Sequence, residues 1–372
     1  MIYTIKSIDG WHIRIPLATP YHLSKVMGTL THSDAVLIRI TLEDGTGGWG
    51  ECDPGGLNFT GDTGESVFAD VRVRSRTMIG CNVEDWVRQG HGRNVRGTAG
   101  AVFDVACHDT LGRATGIPVW QLLGEQRRDR IDVLWPTSSG TAEDDLAIIN
   151  QRYAQGFRTY MLKMGDRPAL SDLERLKRVL GAVQSDVRIM VDANQGWSRD
   201  EAISFAEGAA ALPLILIEQP VAADDHEGLH HVRQSGCTVS VDESVQKPED
   251  AERIIAADAA DIFSVKISKN GGLANSAFIA NVVHQAGKRI LMNSMIELGL
   301  TQAASLHLGC TLPNLVDCGH AYMSTLRMSD DVTDFSDWVE NGIAILPDRP
   351  GLGVKVDESK VNHYQVEHFH VS

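Results

Sequence analysis

Residues 189–197 read IMVDANQGW, residues 214–221 read LILIEQPV and residues 239–245 read VSVDESV. Each is a short apolar, β-branched run that stops at an acid: Asp192, Glu218 and Asp242. A similar run on either side ends in a lysine, Lys163 in YMLKMG and Lys266 in FSVKISKNGG. Working outward, runs end near Trp135, Lys163, Asp192, Glu218, Asp242, Lys266, Asn293 and Asp317. From Lys163 on, the intervals are 29, 26, 24, 24, 27 and 24 residues. Each is enough for one strand, one helix and two short loops. Eight such strands in series predict a parallel α/β barrel over residues 126–335. Chemistry in such barrels gathers at the C-terminal strand ends, where all five charged residues fall.

Residues 1–125 read as a smaller α+β domain. Strand-like runs come first, MIYTIKSIDGWHIRI, AVLIRITLEDG and GGWGEC, and the Asp-Gly in LEDGTGGWGE signals a hairpin turn. A helix is expected through AGAVFDVACHDTLGRATG, although its apolar residues fit one face only loosely; Gly116 and Pro118 should stop it. The tail, residues 336–372, is expected to return to the first domain.

The chain has 372 residues, of which 43% are hydrophobic and 22% charged, ample for more than one domain. With 49 acidic against 34 basic residues its formal charge is −15, which disfavours a nucleic-acid partner. No apolar run reaches membrane-span length and the start lacks the pattern of a signal peptide, so neither a membrane nor export is expected. The six cysteines show no zinc spacing and no Cys-x-x-Cys pair, which suits a reducing, cytoplasmic setting.

Three hard oxygen ligands between two amines are what a site needs to bind a divalent cation and move a proton on a carboxylate substrate. A proton beside a carboxylate is very weakly acidic, and its removal puts two negative charges on one small group. A cation on the carboxylate oxygen stabilises that dianion. Mg²⁺ prefers oxygen ligands and keeps positions for water or substrate. The base must be neutral near pH 7, so a depressed pKa is expected for at least one of Lys163 and Lys266.

The four strings VDANQGW, IEQP, VDES and VKISKNGG, in that order at strand spacing, together with FDVACHDTLGRATGIPVWQLLGE, resemble the enolase superfamily in its muconate lactonizing enzyme and mandelate racemase branch. The resemblance spans nearly the whole chain. It implies a capping domain on a modified (β/α)7β barrel, one Mg²⁺ held by Asp192, Glu218 and Asp242, and acid/base roles for Lys163 and Lys266 on opposite faces of the substrate. It also implies a homo-oligomer.

Departures from that pattern narrow the substrate. Mandelate-type members use a His–Asp pair where Asn293 and Lys266 stand here. Dipeptide epimerases carry Asp-x-Asp on the last strand, where this chain has Asp317-Cys318-Gly319. Many relatives have Lys-x-Lys on the second strand, where the first position is Met161, which removes the usual cationic partner of the substrate carboxylate. The segments GECDPGGLNFTGD and DCGHAYMSTLRMSDDVTDF are most similar to cis-3-hydroxy-L-proline dehydratases. Dehydration of cis-3-hydroxy-L-proline is therefore the leading expectation. Racemisation or epimerisation of proline-like or N-substituted amino acids comes second, a muconate-type cycloisomerase third, and a non-catalytic binding protein last.

Around this core several residues carry two readings. Asn194 either reaches the substrate or caps the following helix. Glu243 holds Lys266 or another side chain around the site. Lys269 is the alternative base to Lys266. Glu297 either orients the substrate or sits in a structural ion pair. Asp317, Glu297, Trp135 and Tyr21 are the candidates to hold a cationic ring nitrogen, each with core packing as the alternative.

Overall fold

The cap is a four-stranded antiparallel sheet with helices on one face. In the computed structural model, which describes residues 3–89 and 97–372, its first strands are β1 (Ile5–His22), β2 (Thr29–Leu42) and β3 (Gly47–Cys52). Met1 and Ile2 of the expected first strand lie outside the described residues. The β2–β3 turn falls at Asp44-Gly45, where Gly45 has φ +86°. Helices α1 (Gly64–Met78), α2 (Val83–Arg88), α3 (Gly97–Thr115) and α4 (Val119–Leu123) follow. The loose periodicity of α3 has a cause: the helix is buried on every side from Thr98 to Gly112. It lies so close to β3 that a side chain at Gly50 would strike the backbone of Val102 and Ala106.

The barrel starts after β4 (Arg130–Asp132) with β5 (Leu134–Pro136), α5 (Ala142–Tyr153), β6 (Thr159–Lys163) and α6 (Ala169–Leu180). It continues through β7 (Arg188–Asp192), α7 (Arg199–Ala209), β8 (Leu214–Glu218), α8 (His226–Gln234), β9 (Val239–Val241) and α9 (Pro248–Ala256). Last come β10 (Ile262–Val265), α10 (Leu273–Gln285), β11 (Arg289–Met292) and α11 (Gly299–Thr311). Strands β5 to β11 are parallel neighbours in sequence order. The expected eighth strand, ending at Asp317, is not a regular strand. Single parallel bridges, Ile290 to Leu315 and Val133 to His320, close the ring instead. The His320 imidazole takes over ladder bonds there, accepting from the Met292 amide at 2.9 Å and bonding the Val316 carbonyl at 3.1 Å.

The tail divides. Strand β12 (Val339–Glu340) pairs with β13 (Ile343–Ile345), which pairs with β4, and only after α12 (Glu358–His363) does β14 (Gln365–Val371) join β1 as the cap sheet's outer strand. The six cysteines are all free.

Cap and barrel are joined by buried carboxylates. Glu51 of β3 accepts from the backbone amides of Leu298 and Thr301, 2.7 and 2.8 Å away, and so caps α11 from another domain. Asp53 accepts from Ile296 at 2.9 Å. Burial, then neighbouring carboxylates, push Glu51 up to about 8; Asp53, buried beside Glu297, is pushed up to about 7, and Asp331 up to about 6 by burial. These groups hold protons in the folded state that the unfolded chain has released. Stability therefore falls as pH rises from about 4 to about 8 and levels above that. Denaturant unfolding across this range checks the slope, and Glu51→Gln should flatten it. Glu51→Ala, which strands two buried amides, should cost about 2–4 kcal/mol.

Candidate active site

The strand register sets one row of charge. Lys163 pairs in register with Asp192, and Asp192 with Glu218, so three consecutive strands end side by side on ionisable groups. Asp242 follows β9 by one residue and Lys266 follows β10 by one. In a ring of seven strands and a closing segment, β6 and β10 are four steps apart, half the circumference. Lys163 and Lys266 therefore face each other across the barrel mouth, and both line the same cavity.

All five charges are buried and bonded. The Lys163 ammonium donates to Asp192. Lys266 donates to Asp242 Oδ2 at 2.6 Å. Lys269 donates to the other Asp242 oxygen at 2.8 Å and to the Asp242 and Ser264 carbonyls at 2.6 and 3.1 Å. Lys269 thus lies beneath Asp242, outside the lining of the cavity that holds Lys163 and Lys266, and burial holds it below the ordinary lysine range. Glu218 accepts from Ser264 Oγ at 2.6 Å and from Asn293 Nδ2 at 2.7 Å.

Burial and repulsion from Asp192 and Asp242 push Glu218 up to about 8. Burial also acts on Asp242, but Lys266 and Lys269 outweigh it and bring the group down to about 2. Lys163 behaves opposite to the sequence expectation. Burial alone would depress it, yet Asp192, Tyr21 and Glu218 outweigh burial and hold it above the ordinary lysine range. Lys266 is raised in the same way, chiefly by Asp242. The expectation of a depressed lysine left out these direct ammonium–carboxylate contacts.

Among the described residues no three His, Cys, Asp or Glu side chains converge as a preformed metal cage. The reason lies in the pairings above: Asp192 and Asp242 are turned toward ammonium groups. The donor set still suits a hard divalent cation. It offers only carboxylate oxygens from three adjacent strand ends, and part of what raises Glu218, after burial, is repulsion from Asp192 and Asp242 that a cation would relieve.

The cavity measures about 550 Å³ between the barrel mouth and the cap. Tyr21, Met161 and Asn194 line it alongside the two lysines, and so does Asn293, to which the sequence gave no role. Asn194 does not cap α7; Ser198 does. The Asn194 side-chain amide donates to Glu243 at 3.2 Å, while its oxygen Oδ1 is buried without a partner, as is Glu243 Oε2. Glu243 thus holds Asn194 rather than Lys266.

Three expected substrate contacts fall elsewhere. Trp135 sits between the inward-facing Leu134 and Pro136, so strand alternation turns it outward, where it meets Phe157 and Arg152. Asp317 is exposed at the opposite end of the barrel, its carbonyl bonded to Arg188 at the start of β7. Glu297 is buried away from the cavity, bonded to Ser294 and, at 3.5 Å, to Gln302. It is not among the cavity's lining residues, and among the described residues no cation forms an ion pair with it. Phe59, with the Lys266 ammonium 4.4 Å from its ring centre, joins the wall unforeseen.

Residues 8–124 match the mandelate racemase/muconate lactonizing enzyme N-terminal domain, and residues 145–360 match the enolase C-terminal domain-like family. The chain is 28% identical over 366 residues to muconate cycloisomerase 1 of Acinetobacter baylyi, covering 96% of this chain and 98% of that one. The crystal structure of the N-succinyl Arg/Lys racemase of Bacillus cereus superposes with a TM-score of 0.93 at 25% identity, covering 99% and 100%. A dipeptide epimerase of Enterococcus faecalis, solved with Mg and the dipeptide L-Leu-L-Tyr, superposes with a TM-score of 0.87 at 24% identity, covering 95% and 99%. The chain is an enzyme of the enolase superfamily, in its mandelate racemase/muconate lactonizing enzyme branch.

Proposed function

We propose that the protein removes the proton α to the carboxylate of a small amino-acid-like substrate, and that the physiological reaction is dehydration of cis-3-hydroxy-L-proline to a pyrroline carboxylate. The observation that carries the reading is the facing pair Lys163 and Lys266 in one cavity. In cis-3-hydroxyproline the α-hydrogen and the 3-hydroxyl lie on opposite ring faces. One lysine takes the α-proton, the C3–O bond breaks, and the other lysine protonates the departing hydroxide, which leaves as water. Asp192, Glu218 and Asp242 would hold Mg²⁺, which would supply positive charge for the dianionic carboxylate. With Asp192 and Asp242 so engaged, burial would depress a lysine toward the working range.

The wall fits a compact monocarboxylate. Of the acids that line it, Asp34 is engaged by His12 and Arg14, Glu65 by Arg14, and Asp53 by backbone amides. A dipeptide ammonium would find each of these acids already engaged. A ring N–H would find Asn194 Oδ1, an unused acceptor backed by Glu243.

Racemisation of proline-like or N-substituted amino acids is the second reading. Two facing bases that take a proton from one side and return it on the other do this equally well, and the similarity to an N-succinyl amino-acid racemase supports it.

Proton NMR of the Mg²⁺-loaded protein with cis-3-hydroxy-L-proline in D₂O tests both. Loss of substrate with growth of a cyclic imino acid is the expected result, and Lys163→Ala and Lys266→Ala should each slow it by more than about 10²-fold. Unchanged cis-3-hydroxy-L-proline would reject dehydration; α-deuterium exchange in proline, proline betaine or N-acylamino acids would then establish racemisation. Metal binding has its own test. Asn293→Ala, which frees Glu218, should weaken Mg²⁺ binding about 10- to 100-fold by calorimetry while leaving the fold intact.

A further inference from the structure

Arg327 is a half-buried cation, and among the described residues no acid balances it. Burial pushes it below the ordinary arginine range. Its guanidinium donates to the Pro136 carbonyl at 2.7 Å and lies 3.9 Å from the centre of the Tyr21 ring. An arginine without a counter-ion is costly, in a chain that carries 49 acids from which a partner could have been drawn. Its position is also specific. Pro136 is the register partner of Met161, and Met161 shares the inward face of β6 with Lys163. Tyr21 lines the cavity together with Lys163, its ring otherwise buried. Among the described residues none hydrogen-bonds the Tyr21 hydroxyl.

We propose that Tyr21 binds the substrate carboxylate through its hydroxyl on the Lys163 side of the cavity, and that Arg327 is a positioning residue that holds the ring and strengthens the hydroxyl as a donor. A cation stacked on a phenol stabilises negative charge on its oxygen, so the O–H donates more strongly to an anion. The arrangement supplies positive potential where Met161 offers none. Arg327 keeps its charge off the cavity surface, so the potential reaches the substrate without a third ammonium beside the two reacting lysines.

The inference rests on the reading of the cavity as a carboxylate site. The experiment is calorimetric titration of the Mg²⁺-loaded protein with cyclopentanecarboxylate, a compact carboxylate that has no hydroxyl to lose. Tyr21→Phe keeps the ring and the stack, and should weaken binding about 10-fold or more, as expected for a lost hydrogen bond to a charged group. Arg327→Gln should weaken it similarly. Adding Met161→Lys to Arg327→Gln should restore most of the loss, which repair of mere packing would not do. Wild-type affinity in Tyr21→Phe, or no recovery in the double variant, overturns the inference and leaves the carboxylate site standing. Absence of binding by the wild-type protein overturns the carboxylate reading, and this inference with it.

Discussion

Like charge gathered in a dry place governs this molecule. Asp192, Glu218, Asp242 and Glu243 are all buried at one end of one barrel, and three ammonium groups are buried with them. Carboxylates so placed cannot all ionise unless cations stand close. The rest of the site follows from that constraint. Lys269 is sunk beneath Asp242 with three oxygens around its Nζ, and Asn293 and Ser264 donate to Glu218. The two remaining lysines are left to lean on whichever carboxylate is nearest. A fold with a softer frame could not hold this arrangement. Here the acids end strands whose backbones are bonded on both sides, so the side chains have little room to separate.

The reactive lysines are defined by competition. Burial and ion pairing pull each ammonium in opposite directions, and pairing wins at both Lys163 and Lys266. Whatever engages the carboxylates decides which effect dominates. In the reading proposed above, a lysine becomes a base only when those carboxylates are engaged elsewhere.

Strand spacing made the barrel legible in the sequence, because a βα unit has nearly fixed length and its strand must end where the chain turns out of the core. The same logic brought Lys163, Asp192, Glu218, Asp242 and Lys266 to one end of the barrel, the first three as direct register partners. It failed where the last strand dissolves into single bridges around His320, and Asp317 went with it to the wrong end of the barrel. Trp135 was lost to alternation: in a strand of three residues a shift of one place turns a side chain from cavity to exterior. Glu297 was expected at the substrate as an acid just past a strand end, but its carboxylate turns to Ser294 and Gln302 instead. Phe59 and Arg327 lay in the two segments that carried the substrate resemblance, but nothing local in the sequence marked either residue, since each meets the site through contacts distant in sequence.

The grip of Glu51 and Asp53 on residues 296–301 bears on how such proteins diversify. A cap that only rested on the barrel could be traded between relatives like a lid. This one supplies the terminal bonds of a barrel helix, so half of that helix's capping is encoded some 250 positions upstream. Recombination between cap and barrel would therefore carry a compatibility requirement at these few positions, and specificity is more readily changed by point substitution in the cavity wall than by exchange of the whole domain.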